Sequence, residues 1–117
     1  MAAQPYKISI AESQIDDLKQ RLALARFPDE LDEAAWDYGS PLKDVKRLAL
    51  YWKDTYDWRT VESRLNALPN YKASIAVKGF GELDLHFLHQ TSDPDAVPLL
   101  FCHGWVRFCL TYSCHYG

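Results

Sequence analysis

Pro98-Leu99-Leu100-Phe101-Cys102-His103-Gly104-Trp105 is the stretch on which the fold turns. Val97 to Cys102 forms a short, continuous apolar run. That pattern predicts a strand buried on both faces, as in a parallel sheet covered by helices. The run ends in His103-Gly104 followed by an aromatic. Glycine at the end of such a strand permits a tight turn with the backbone close to whatever lies above it. The turn then presents a backbone N–H to a developing negative charge, which is half of an oxyanion hole.

Upstream of this strand the apolar period is two. Tyr71, Ala73, Ile75 and Val77 share one face, Gly79-Phe80-Gly81 turns the chain, and Leu83, Leu85 and Phe87 alternate with Asp84, His86 and Leu88. This predicts a β-hairpin. Ser92-Asp93-Pro94-Asp95 then reads as a loop.

Further upstream the period is helical. Ile15, Leu18, Leu22 and Ala25 fall on one face of a helix from Glu12 to Ala25, with acids at its start, bases at its end and Pro28 as its stop. Ser40-Pro41 predicts a second helix start, a capping hydroxyl before a first-turn proline. Leu42, Val45, Ala49, Trp52 and Tyr56 follow at steps of three and four. Asp57 can cap a third, short helix carrying Val61, Leu65 and Leu68 inward before Pro69. Tyr6 to Ile10 alternates as a short strand or extended arm.

The spaced segments Leu18-Lys19-Gln20-Arg21-Leu22, Arg26-Phe27-Pro28, Tyr51-Trp52-Lys53-Asp54-Thr55-Tyr56-Asp57-Trp58-Arg59, Glu62 with Leu65-Asn66 and Pro69, His86-Phe87 and His103-Gly104-Trp105 occur in one order. In that order they resemble the epoxide hydrolases of the microsomal type and their fungal and bacterial relatives, from about Tyr6 to Trp105. The resemblance implies an α/β class, with an N-terminal helical region plus the first strands of an α/β-hydrolase sheet. It divides the chain into a family region, residues 1–105, and a divergent tail, 106–117. Within the first, a helical segment spans about 12–69, and a hairpin with the first buried strand spans about 71–105.

The chemistry that the resemblance implies is hydrolysis of a small-molecule epoxide to a vicinal diol, without metal or cofactor. An aspartate attacks an epoxide carbon and forms an ester. A histidine oriented by an acid then activates water to cleave it. Two cap tyrosines hold the epoxide oxygen. In the family all these groups lie beyond the His-Gly-Trp motif. The catalytic residues expected in this chain are therefore none, the oxyanion motif His103, Gly104 and Trp105 is the expected site, and the chain alone is expected to be inactive. The family continues the motif with Pro and Gly-Ser, whereas Val106-Arg107-Phe108 stands here, and nothing from Val106 to Gly117 matches it.

Other readings are weighed against this one. His86, His89, Cys102, His103, Cys109, Cys114 and His115 lack zinc-site spacing, and Cys102 and His103 would face opposite sides of a strand. Trp52, Tyr56 and Trp58 at helical spacing read as packing residues. The acids Asp29, Glu30, Asp32 and Glu33 read as a solvated loop. Ser113 lies in no Gly-x-Ser-x-Gly elbow. A net charge of −3 argues against a nucleic-acid partner. No apolar run reaches bilayer length and the first residues lack a secretory h-region, so a cytoplasmic location and reduced thiols are expected. The alternative functions are a non-enzymatic helical interaction module and a fragment that complements a separate catalytic piece. Too few strands to cover a parallel sheet predict a marginally stable chain prone to self-association.

Overall fold

The computed structural model describes residues Ala3–Cys102 and Gly104. It divides into a helical unit, Ser9–Thr60, and a sheet unit made of the residues up to Ile8 and from Val61 onward.

In the helical unit, α1 spans Glu12–Ala23. Its entry residue Ala11 has no side-chain acceptor, but Gln14 reaches back and accepts the Ala11 N–H at 3.3 Å, which is half of a capping box. Ile15, Leu18 and Leu22 are its half-buried residues and the rest of the helix is exposed. The predicted stripe is therefore present, ending one turn before Ala25. An exposed Asp17–Arg21 pair at 2.8 Å lies one turn apart on the outer surface.

α2 spans Leu42–Asp54 and packs against α1. Its start differs from the expectation. Ser40 makes no capping bond, and Pro41 is the entry residue. Instead Glu30 Oε1 accepts the Leu42 N–H at 2.7 Å. A carboxylate is the stronger acceptor at a helix N-terminus, because the helix dipole adds to the hydrogen bond. One acid of the 29–33 stretch, expected to be solvated, is thus a helix cap. The loop between α1 and α2 also holds Glu33 and Ala35 at positive φ, 60° and 44°.

α3 spans Trp58–Asn66. Asp57 caps it as expected: Oδ1 accepts the Arg59 N–H at 2.9 Å, and Oδ2 accepts the Thr60 hydroxyl.

The sheet unit contains β1, Gln4–Pro5, β2, Asn70–Val77, and β3, Gly81–Leu88. They form a three-stranded antiparallel sheet in the order β1-β2-β3. The hairpin is the one predicted. Its tight loop needs glycines, since Gly79 and Gly81 take φ of 86° and 80°, where a side chain is strained. Tyr71 faces Phe87, Ala73 faces Leu85 and Ile75 faces Leu83, so one sheet face is apolar. Lys72–His86, Ser74–Asp84 and Ala76–Glu82 make the other face polar. His89 N–H donates to the Pro69 carbonyl at 3.1 Å, which sets the phase of the ladder. The pairs 71–87, 73–85 and 75–83 exchange backbone bonds, and Glu82, Asp84, His86 and Leu88 direct theirs to the side of β3 away from β2.

Of two strand expectations, Tyr6 to Ile10 takes its extended-arm alternative, with Tyr6, Ile8 and Ile10 half-buried, and the other is corrected. The N-terminal strand is Gln4–Pro5, and Tyr6 to Ile10 is not in a regular ladder, although Tyr6 N–H donates to the Asn70 carbonyl at 2.9 Å. The run Val97–Cys102 is not a strand. Leu99 and Leu100 are both 88% exposed. A strand of the two-sided kind needs a neighbouring strand and cover on both faces, and the described residues place neither beside it.

Candidate functional site

Of the motif His103-Gly104-Trp105, only Gly104 is among the described residues. His103, Trp105 and the whole tail from Val106 lie outside them, as do Cys109, Ser113, Cys114 and His115. Gly104 is exposed, and a Cβ placed on it would meet nothing within 4 Å. Among the described residues no close approach at Gly104 demands a glycine. Among the described residues no group of three His, Cys, Asp or Glu is placed to hold a metal.

The polar cluster in the sheet unit centres on Asn70. It is the one buried residue among those described, 4% exposed. Asn70 Nδ2 donates to the carbonyls of Leu65 and Leu68, each at 2.8 Å. These carbonyls lie at the end of α3, where intrahelical partners run out. With both amide protons so placed, Asn70 Oδ1 faces His86 Nε2 at 2.9 Å and accepts from it. His86 therefore carries a proton on Nε2. Tyr6 meets the His86 ring edge-on at 5.4 Å, and Lys72 Nζ lies 4.0 Å from the Tyr6 ring centre. Burial, and then the Lys72 charge, hold the His86 pKa below the usual histidine value. His86 is thus held in place by the hairpin and the end of α3. Sequence reasoning set it on the hairpin but missed Asn70 and Lys72. A polar residue directly after the helix-stopping Pro69, opposite a histidine in hairpin register, was the available signal.

In the helical unit, Arg59 joins two segments. Its Nη1 donates to the Ile10 carbonyl at 2.8 Å, and its Nη2 donates to Glu12 Oε2 at 2.6 Å. Thr60, chiefly through its hydroxyl, holds the Asp57 carboxyl below the usual range. An open groove of ≈ 260 Å³ lies in the same unit, lined among others by Ile15, Leu18, Trp52, Tyr56 and Trp58. The aromatic residues read as packing residues therefore line an apolar surface that is only partly covered. Trp52 remains 48% exposed. Among the described residues the groove's lining holds no carboxylate, histidine or cysteine to pair with Lys19 or Tyr56.

The family profile described as "Epoxide hydrolase N terminus" matches residues 3–111. Epoxide hydrolase 1 of Sus scrofa is 34% identical over 107 residues, covering 87% of this chain and 22% of that protein. Among solved structures, the enantioselective mutant of the epoxide hydrolase from Aspergillus niger superposes with a TM-score of 0.75 at 30% identity, covering 92% of this chain and 27% of that one. The juvenile hormone epoxide hydrolase of the silkworm Bombyx mori gives a TM-score of 0.66 at 26% identity, covering 82% and 22%. The chain spans between a fifth and about a quarter of the length of these relatives.

Proposed function

The chain belongs to the epoxide hydrolase N-terminus family, and on that footing we propose that it is the N-terminal, non-catalytic segment of an epoxide-hydrolysing α/β-hydrolase fold. In this reading it supplies the helical region and the first hairpin of the sheet. The nucleophilic aspartate, the histidine with its acid, and the cap tyrosines belong to residues outside this chain. The chain's own contribution to chemistry is the His103-Gly104-Trp105 motif, a backbone N–H of which stabilises the oxyanion when the ester intermediate is hydrolysed. A small-molecule epoxide is the substrate of the complete enzyme. The polypeptide itself does not turn over epoxides.

The observation that carries this reading is the apolar sheet face. Ile75, Leu83 and Leu85 are 39%, 43% and 45% exposed, although their pattern is that of a covered face. Such a face needs a further layer against it. A second reading draws on the same face: the chain complements a separately made catalytic piece.

The test is diol formation from styrene oxide. The purified chain should give no turnover above buffer. Mixed with a family fragment that starts after the His-Gly-Trp motif, it should restore diol formation. Turnover by the chain alone would overturn the non-catalytic assignment. A soluble, inactive mixture would remove the complementing reading.

A further inference from the structure

The groove of the helical unit has a composition that goes beyond packing. Ile15, Leu18 and Lys19 stand within one turn of each other on one face of α1. Trp52 comes from the last turn of α2. Tyr56 follows just after it, with its N–H on the Tyr51 carbonyl at 2.9 Å and its ring edge-on to Tyr51 at 6.4 Å. The two helices pack together, so these side chains share one concave, largely apolar surface.

Its charge is as definite as its shape. Among the described residues Lys19 is the one charged residue of the lining, and it enters no ion pair. Gln14, also in the lining, is neutral, and its Oε1 already accepts the Ala11 N–H. Glu12 is drawn to Arg59 at 2.6 Å and so offers Lys19 no partner.

We propose that this groove binds a small amphipathic carboxylate, its alkyl chain laid against Ile15, Leu18 and Trp52 and its head at Lys19. Three properties select that class. First, ≈ 260 Å³ lies just under the range of about 300–1,000 Å³ usual for small-molecule pockets, so the ligand is small. Second, an apolar wall beside a single cation matches a molecule with one apolar end and one negative charge. A cation would be repelled by Lys19. A polyanion would need further cations, and the lining supplies no arginine and no second lysine. Third, the groove is open on one side, so the carboxylate keeps part of its water while the chain loses most of its own. This site serves binding and takes no part in opening an epoxide.

The expected preferences follow from the same contacts. A half-covered chain should gain about twofold in affinity for each added methylene, against about fourfold for full burial. The exposed charge pair should favour a carboxylate over the matching alcohol by about threefold.

The experiment is isothermal titration of the full chain with octanoate, hexanoate, 1-octanol and octylammonium, each kept monomeric. Octanoate should bind at one saturable site, about fourfold more tightly than hexanoate and about threefold more tightly than octanol, with octylammonium weakest. Lys19→Gln should remove the preference for octanoate over octanol and leave octanol binding unchanged. Trp52→Ala should weaken both by about tenfold, with circular dichroism confirming that the helices persist. Absence of saturable octanoate binding overturns the proposal. So does octanoate binding that neither variant alters, or octylammonium binding as tightly as octanoate. A concentration-dependent dimer that Trp52→Ala dissociates would assign the groove to a second copy of the chain and overturn it too.

Discussion

The side-chain amide of Asn66 grips both the backbone N–H and the backbone C=O of Ile8. Asn66 Oδ1 accepts the Ile8 N–H at 2.8 Å, and Asn66 Nδ2 donates to the Ile8 carbonyl at 2.8 Å. This is the bond pair that a neighbouring strand residue would offer, supplied by one side chain at the end of α3. It extends the tether of the N-terminal arm beyond the short ladder of β1.

Asn66→Ala should therefore cost about 1–3 kcal/mol, two half-buried bonds with their backbone groups left to solvent. Asn66→Asp should cost a similar amount, since a carboxylate cannot donate to the Ile8 carbonyl. Urea unfolding measures both. A loss below about 0.5 kcal/mol for each variant would show that the arm does not depend on this grip.

The pH dependence near neutrality should come from His86. Its folded pKa lies below the ordinary 6.5, chiefly through burial and then through Lys72. As pH falls below about 6.5 the unfolded chain takes up this proton before the folded chain does. Stability is thus complete above that pH, declines below it, and levels off under the lowered folded value. Melting curves between about pH 7.5 and 5.5 should show the decline, before most carboxylates titrate. His86→Gln, which keeps an N–H for Asn70, should flatten the curve. A His86 ring titrating above 6.5 by NMR would contradict the sign.

Glu30 should behave as a helix cap and not as a surface acid. Glu30→Ala should lose about 0.5–1 kcal/mol, the usual worth of a cap. Glu30→Gln keeps an acceptor for Leu42 N–H and should lose less. Ser40→Ala should be nearly neutral. A larger loss at Ser40 than at Glu30 would restore the sequence-based assignment of the cap.

Ile75→Lys probes the apolar sheet face. With 39% of Ile75 already exposed, the cost to the isolated chain should stay near about 1 kcal/mol, and solubility should rise. Complementation of a catalytic fragment should be lost. Retained complementation would mean that the face is not where the rest of the fold docks.

These tests separate what was legible in the sequence from what was not. The hairpin was legible because its register and turn are local: period-two apolar residues flank a loop where Gly79 and Gly81 need positive φ. The three helices were legible from their apolar stripes and from Asp57. Glu30 was missed as a cap because it acts on a residue 12 positions away, across a loop. Asn70 was missed because its partners, two helix-end carbonyls and a histidine of another strand, are brought together only by the fold. Val97–Cys102 was misread because an apolar run records a need for cover, not the presence of a partner. Of the oxyanion motif, the structure speaks only to Gly104, which is exposed.

The pairing of β1 with β2 also sets an order of assembly. The β2–β3 hairpin closes through a short glycine loop, so its ladder costs little chain entropy and can form within microseconds. The Ile8–Asn66 bonds span 58 residues, and β1 can dock only on a β2 already extended. The N-terminal arm should thus arrive last and leave first. Amide exchange should find Tyr6 and Ile8 opening in events too small to melt the hairpin, which makes the arm the least cooperative part of the sheet.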